Sequence, residues 1–341
     1  MRSGGRITWA GVAAWLTCLS VTPVSGQSGL SDEAALFLLL PVGPKAVSMG
    51  RAVTALPGPE STWWNPAGLG ELTDNHVLFF RNENVGGATT AASLVMARPG
   101  LGALGVAYEL FDLGDQETTD EQGNPTGTIS FRNHQAMVSV ASRFWDQVSV
   151  GVNLKVVREG TSCRGPCDFG GSGDDATTFA LDAGVQITNL GGLPLRLGAV
   201  LAHAGPDIQF ENADQADPLP TRLRFAAAYE LLDHWLEEDE LRLWLTTELE
   251  VDPIQEQGGD DEDLGRVDPS VYLGAELTAG TMEFLSLRAG WVFNSVTQVD
   301  GGAVGLGLRY QSFDLAIAKS LAQAPLAGDD EPIHVSFGFV F

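Results

Sequence analysis

The last nine residues, Ile333-His334-Val335-Ser336-Phe337-Gly338-Phe339-Val340-Phe341, place a large apolar side chain at every odd number and a small or polar one at most even numbers. A period of two belongs to a strand with two unlike faces. Leu104, Val106, Tyr108 and Leu110 repeat the pattern against Ala103, Gly105, Ala107 and Glu109, as do Phe179, Leu181, Ala183, Val185 and Ile187 against Ala180, Asp182, Gly184 and Gln186. Such segments from residue 76 onward predict fourteen strands, at 76–82, 90–98, 101–112, 127–144, 148–159, 176–188, 194–204, 221–232, 240–251, 269–279, 283–294, 302–311, 313–321 and 332–341. An even count is what a closed bacterial outer-membrane barrel requires.

The connections test this independently. After even-numbered strands they are mostly short, as at Pro99-Gly100, Trp145-Asp146-Gln147 and Gln311-Ser312; after odd-numbered strands they are mostly long and acidic, at 113–126, 160–175, 205–220, 252–268 and 322–331. Of the 44 carboxylates, 23 fall in or beside these long connections, which sets them on one outer rim; Glu237-Glu238-Asp239-Glu240 is an exception on the other side. Short periplasmic turns and long external loops are the asymmetry of an outer-membrane barrel. A soluble β-sandwich also alternates, but its strands rarely run to about ten residues with Gly and Ala filling one face. Small residues such as Gly305, Gly307, Ala316 and Ala318 suit a lumen crowded by a plug.

The N-terminus carries Arg2 and Arg6, a mostly apolar run from Ile7 to Val21, and small residues at Val24-Ser25-Gly26, the pattern of a cleaved secretory signal peptide at residues 1–26. A retained anchor is disfavoured because the run falls short of about 20 residues, and Trp15-Leu16-Thr17 lacks the small residue that lipidation of Cys18 would need. Only Cys163 and Cys167 then remain, in "SCRGPCDFGG". In an oxidising compartment a disulfide between them is expected, and no nearby His supports the alternative of zinc. A net charge of −25 argues against nucleic-acid binding through phosphates.

Residues 27–75 do not alternate and are expected to form a plug ahead of a barrel at 76–341. Within them, Leu39-Leu40-Pro41-Val42-Gly43-Pro44-Lys45-Ala46-Val47-Ser48-Met49-Gly50-Arg51-Ala52, followed by Trp64-Asn65-Pro66-Ala67-Gly68-Leu69, resembles the N-terminal signature of the PorV/PorQ family and, more loosely, that of FadL-type long-chain fatty acid transporters. The resemblance implies a fourteen-stranded barrel with its N-terminal segment folded into the lumen. Val335, Phe337, Phe339 and the terminal Phe341 resemble the C-terminal signal read by the outer-membrane assembly machinery.

Asn65-Pro66 predicts a turn, since proline fixes φ and keeps its predecessor out of the helical region. Trp63 and Trp64 sit in a segment too broken for a regular helix or strand. They read as plug anchors near the periplasmic mouth, with Met49, Gly50, Ala67, Gly68 and Leu69 as further plug residues; the alternative is that the tryptophans line a path for an apolar molecule.

No enzyme, cofactor or metal site is expected. Gly100-Leu101-Gly102-Ala103-Leu104-Gly105 fits a dinucleotide-binding spacing but follows a turn and lies in a strand. His134 near Ser130 reads as a wall pair, and Asp260-Asp261-Glu262-Asp263 reads as a solvated loop, with calcium the alternative. Inward positions mix signs, at Glu109, Lys155, Asp182, Arg196, Arg242, Glu248, Glu276, Arg288, Arg309 and Asp314, and are expected to pair across the lumen or hold the plug. The family resemblance implies a protein that engages secretion-system components and exported cargo in a type IX-like pathway. The looser resemblance implies a channel for hydrophobic small molecules such as long-chain fatty acids, and adhesion through acidic loops is a third possibility. Outer-membrane lipid is a partner under every reading, in a bacterium with two membranes.

Overall fold

Where lipid lies on one side of a sheet and a filled bore on the other, each strand must alternate, and it does. The computed structural model describes residues 33–84, 86–120, 122–165, 175–209, 216–232, 241–253, 269–280, 283–293, 300–321 and 332–341. Fourteen strands close into an antiparallel barrel: β1 (His76–Asn84), β2 (Gly87–Arg98), β3 (Gly102–Thr119), β4 (Pro125–Phe144), β5 (Val148–Arg164), β6 (Asp175–Ile187), β7 (Leu195–Ala204), β10 (Arg222–Glu230), β11 (Leu241–Val251), β12 (Ser270–Gly280), β13 (Phe284–Phe293), β14 (Gly301–Tyr310), β15 (Phe313–Ser320) and β16 (Ile333–Val340). Two short strands, β8 (Ile208–Gln209) and β9 (Ala216–Asp217), pair with each other outside the wall. The seam runs from His76↔Val340 to Asn82↔His334 between β1 and β16, so no edge of the sheet is left open.

The outward face is a belt of large apolar groups that no soluble fold of this size would expose. Val106, Val138, Val152, Leu154, Leu287, Leu306, Leu315, Ile317 and Val335 are all exposed on it. Aromatic side chains flank the belt, with Phe144, Trp145, Tyr310, Phe313, Phe339 and Phe341 towards the short turns and Phe179, Phe225, Trp291 and Phe293 towards the long connections. Phe313 packs against both Phe337 and Phe339, at 6.0 and 5.7 Å between ring centres, joining β15 to the terminal strand. The barrel is transmembrane, and crossing is by strands; no helix among the described residues is long and apolar enough to cross.

The long connection expected at 113–126 is instead mostly strand. β3 runs on to Thr119 and β4 begins at Pro125, past a bulge between Asp112 and Asp115 where Gly114 takes a φ of +79°. β5 likewise continues to Arg164 rather than ending near 159. Beyond the lipid belt both faces of a strand meet water, so backbone pairing persists while the alternation that reveals it disappears. The acidic runs at 237–240 and 260–263, the segment 1–32 with its expected signal peptide, and Cys167 lie outside the described residues. Cys163 lies near the end of β5.

Residues 33–75 fill the bore. The plug begins at the long-connection end, where Ala34 N donates to Pro218 O at 3.0 Å and Ala35 N to Glu159 Oε2 at 3.2 Å. It ends at the short-turn end, where Asn75 and Phe341 exchange backbone bonds of 3.1 Å. Between them lie short helices at Leu36–Leu39, Pro44–Ser48, Ser61–Trp64 and Pro66–Glu71. None could persist alone, since isolated helices under about 12 residues are marginal in water; the wall holds them.

Candidate functional site

The plug meets the wall through backbone, and the sequence permits this by placing glycine on inward positions. Gly290 of β13 faces Gly274 of β12, and the two make a recess for Met49 and Gly50. A Cβ on Gly290 would strike Gly50 N and the Met49 carbonyl carbon, while one on Gly50 would meet Trp291 N and Leu273 O. Gly50 itself has a φ of +58°, a conformation that glycine adopts freely. Gly184 of β6 leaves room for Asn65 in the same way, and Gly305 of β14 for Ser48.

Asn65 is the pivot of the second half of the plug. Extended at φ −145°, it breaks the helix Ser61–Trp64 and caps the next, its Oδ1 accepting from Ala67 N at 3.1 Å. Its Nδ2 donates to Thr54 O at 2.8 Å and to Val185 O of the wall at 3.3 Å. The fully buried Ala67 and Leu69 follow on the helix Pro66–Glu71, whose first turn has Gly68 packed beside Ser61.

The two tryptophans belong to a regular turn of helix after all, and they lie deeper than the mouth. Thr62 O accepts from Asn153 Nδ2 at 2.9 Å, and Trp63 meets Phe80 edge-on at 6.3 Å. Asn153 and Phe80 are the sixth residue of β5 and the fifth of β1, counted from the short-turn end, so both contacts fall at mid-bore. Trp64 Nε1 donates to Val42 O at 2.9 Å, and Arg224 lies over its ring at 5.1 Å. Trp64→Phe is expected to leave the buried Val42 carbonyl without its donor and to cost about 1–3 kcal/mol in unfolding measured in lipid or detergent.

Most inward charges expected to pair do so. Lys155 and Asp182 are 2.6 Å apart, Arg288 and Glu276 2.5 Å, and Arg309 pairs with Asp314. Others hold the plug: Arg196 grips Glu71 at 2.8 Å, Lys45 reaches Glu276 at 3.4 Å, and Glu248 accepts from both Thr54 N and Thr54 Oγ1 at 3.0 and 2.8 Å. The sequence reading missed Arg222 and Arg224. Arg222 is fully buried and takes Glu33 in a two-pronged pair, both bonds 2.7 Å; Arg224 meets Glu250 at 2.5 Å, and Tyr272 donates to the same carboxylate at 2.9 Å. The signal was present, since Arg222, Arg224, Ala226 and Ala228 alternate with Leu223, Phe225 and Tyr229. His134 is not brought to Ser130 as a working pair: His134 bonds Tyr108 at 2.7 Å and Ser130 bonds Asp115 at 2.5 Å.

The two ends of the plug differ. Towards the long connections, Phe37, Leu38, Phe111, Val157 and Leu219 form a packed apolar cluster, Phe37 stacking on Phe111 at 6.4 Å. Towards the short turns lies an open cavity of about 460 Å³ lined by Leu56, Leu72 and Phe284 and by the paired Arg196, Arg309 and Asp314. Glu60 stands at its wall and accepts from Lys45 N and Ala46 N at 3.4 and 3.3 Å.

No protein-family model matches the chain, and no curated protein matches it. Solved structures do. The CymD monoaromatic hydrocarbon channel aligns with a TM-score of 0.56 at 14% identity, over 88% of this chain and 96% of that one. The toluene transporter TbuX of Ralstonia pickettii aligns with a TM-score of 0.50 at 12% identity, over 87% and 97%. A deltaS2 mutant of the TodX monoaromatic hydrocarbon channel gives 0.51 at 11%, again over 87% and 97%. At these identities the likeness is one of fold.

Proposed function

We propose that this chain is a non-enzymatic outer-membrane channel for hydrophobic small molecules, held closed by its N-terminal plug. The observation that carries the reading is the whole-chain likeness to CymD, a barrel of the same fold that passes monoaromatic hydrocarbons. A 460 Å³ cavity that reaches the plug from the short-turn end supports a route through the bore. On this reading residues 1–26 direct export and are removed, residues 27–75 are the gate, residues 76–341 are the wall, and the strand ending at Phe341 is read during assembly in the outer membrane of a bacterium with two membranes.

A second reading has one observation in its favour. The bore is occluded and polar, with Lys155–Asp182 and Arg224–Glu250 buried in it, which suits a PorV/PorQ-like protein that meets exported proteins at the surface and passes nothing. A deletion strain and its complemented parent separate the two. Uptake of a labelled monoaromatic hydrocarbon or long-chain fatty acid is expected to fall several-fold on deletion, with surface proteins unchanged. Unchanged uptake together with loss of exported proteins from the surface would overturn the channel in favour of the secretion partner.

A further inference from the structure

The lipid face changes character beside the terminal strand. Among the described residues of β6 to β16, Lys319 is the one lysine or arginine on the outward face, in step with the exposed Leu315 and Ile317 and next to the buried Ala318. Its counterpart across the seam is Arg81 of β1, in step with the exposed Phe79 and set between the buried Phe80 and Asn82. Both stand close to the long-connection ends, Lys319 one residue before the end of β15 and Arg81 three before the end of β1. The terminal strand lies between them: Arg81 pairs in register with Val335, Val335 with Ile317, and Lys319 with Ile333. Strand spacing and rise per residue put the two positions about 12 Å apart, within joint reach of two long side chains. Beside Lys319 opens an apolar groove of about 340 Å³, lined by Leu287, Val304, Leu306 and Ile317.

A cation on a lipid-facing wall is unfavourable in hydrocarbon and is tolerated where a long stem carries its charge to the head groups. Elsewhere on this wall the protein itself supplies the counter-charge, with Asp112 holding Arg132 at 3.2 Å and Asp175 holding Arg158. Arg81 is treated differently. Among the described residues its guanidinium donates to the Thr90 hydroxyl at 2.6 Å, a neutral acceptor that fixes its direction and leaves its charge and its other donors outward. A guanidinium so presented matches a phosphate, which accepts several of its N–H groups at once.

We propose that the seam side of the barrel holds one outer-leaflet lipid with a phosphorylated, net anionic head group, its phosphate on Arg81 and Lys319 across β16 and one acyl chain in the groove beside Ile317. A zwitterionic or uncharged lipid fills the groove but brings no net charge to the two cations. A free phosphate meets the cations but leaves the groove to other hydrocarbon. The inference depends on the barrel standing in a membrane and not on what the bore passes, so it is the same for a channel and for a secretion partner.

The test is native mass spectrometry of the purified full chain in detergent, titrated with dioleoyl phosphatidic acid, dioleoylglycerol and dioleoyl phosphatidylcholine, which share their chains and differ in the head. Phosphatidic acid is expected to bind at least about fivefold more tightly than either of the others, since each basic side chain near the surface contributes about a factor of five towards an anionic lipid. Arg81→Gln combined with Lys319→Gln is expected to bring that ratio close to one and to leave dioleoylglycerol bound as before. Leu306→Trp, which fills the groove, is expected to weaken all three lipids and to keep the ratio; a heat-dependent shift in gel migration confirms that each barrel is folded. Equal binding of the three lipids by the parent, a ratio untouched by the double variant, or binding untouched by Leu306→Trp would overturn the site. Loss of phosphatidic acid on adding an equal concentration of inorganic phosphate would overturn it too, by assigning the cations to a free anion.

Discussion

Gly290→Val is expected to unseat the plug while the barrel still forms. The added carbons would enter space held by Gly50 N and the carbonyl carbon of Met49, and neither is a side chain that can rotate away. Gly50 has no slack against the wall, since a Cβ on it would already meet Trp291 N and Leu273 O. The ladder of β13 with β12 and β14 uses backbone alone and survives the change. Overpacking of this kind costs about 1–3 kcal/mol, which shifts the ratio of seated to displaced plug by about 5- to 150-fold. In planar bilayers the parent is expected to be closed or nearly so and the variant to conduct. Leu287→Val, a lipid-facing exchange on the same strand, serves as the control and is expected to leave conductance as in the parent. A variant whose gel migration shows a folded barrel and whose conductance equals the parent's would mean that this contact does not hold the gate.

The wall was legible in the sequence because lipid imposes its pattern from outside. Val106 and Tyr108 must be apolar whatever lies in the bore, so alternation survives without knowledge of any partner. The legibility ends where the lipid ends: Leu113 to Thr119 carries no alternation, yet it pairs with β4 through Asp115↔Ser130 and Thr118↔Gly127. Inside the bore the reading was partial for a different reason. Glu248 announces itself as an inward charge, but its partner Thr54 is 194 residues away in an aperiodic segment, and no local pattern encodes that contact. The glycines behave likewise. Gly305 reads as a small inward residue, whereas its purpose depends on Ser48 arriving opposite it. Trp63 and Trp64 were misplaced on the same ground, since their depth is set by the bond from Asn153 to Thr62, 91 residues apart, and by Trp63 meeting Phe80 on the first strand.

The buried Arg224 is the place where the wall alone can be tested against wall and plug together. Its guanidinium is enclosed, with Glu250 at 2.5 Å across the β10–β11 pair and the Trp64 ring at 5.1 Å. Arg224→Met removes the guanidinium bonded to Glu250 while the Tyr272 hydroxyl stays at 2.9 Å, and so leaves a buried carboxylate without its ion-pair partner. Breaking such a pair from one side costs about 3–5 kcal/mol, whereas replacing both partners by apolar groups of similar size is often close to neutral. Unfolding in lipid vesicles by denaturant is therefore expected to show a large loss for Arg224→Met, and a much smaller one when Glu250→Leu is added. The difference between the summed single losses and the double loss is the coupling of the pair. The cation over Trp64 adds about 0.5–2 kcal/mol that Glu250→Leu cannot restore, because that contact joins wall to plug. The double variant should thus recover the stability of the barrel yet retain a more easily displaced plug, seen as residual conductance in planar bilayers. Additive single losses would mean that Arg224 and Glu250 do not act as a pair. Full recovery of both stability and closure would mean that Arg224 serves the wall and has no part in holding the gate.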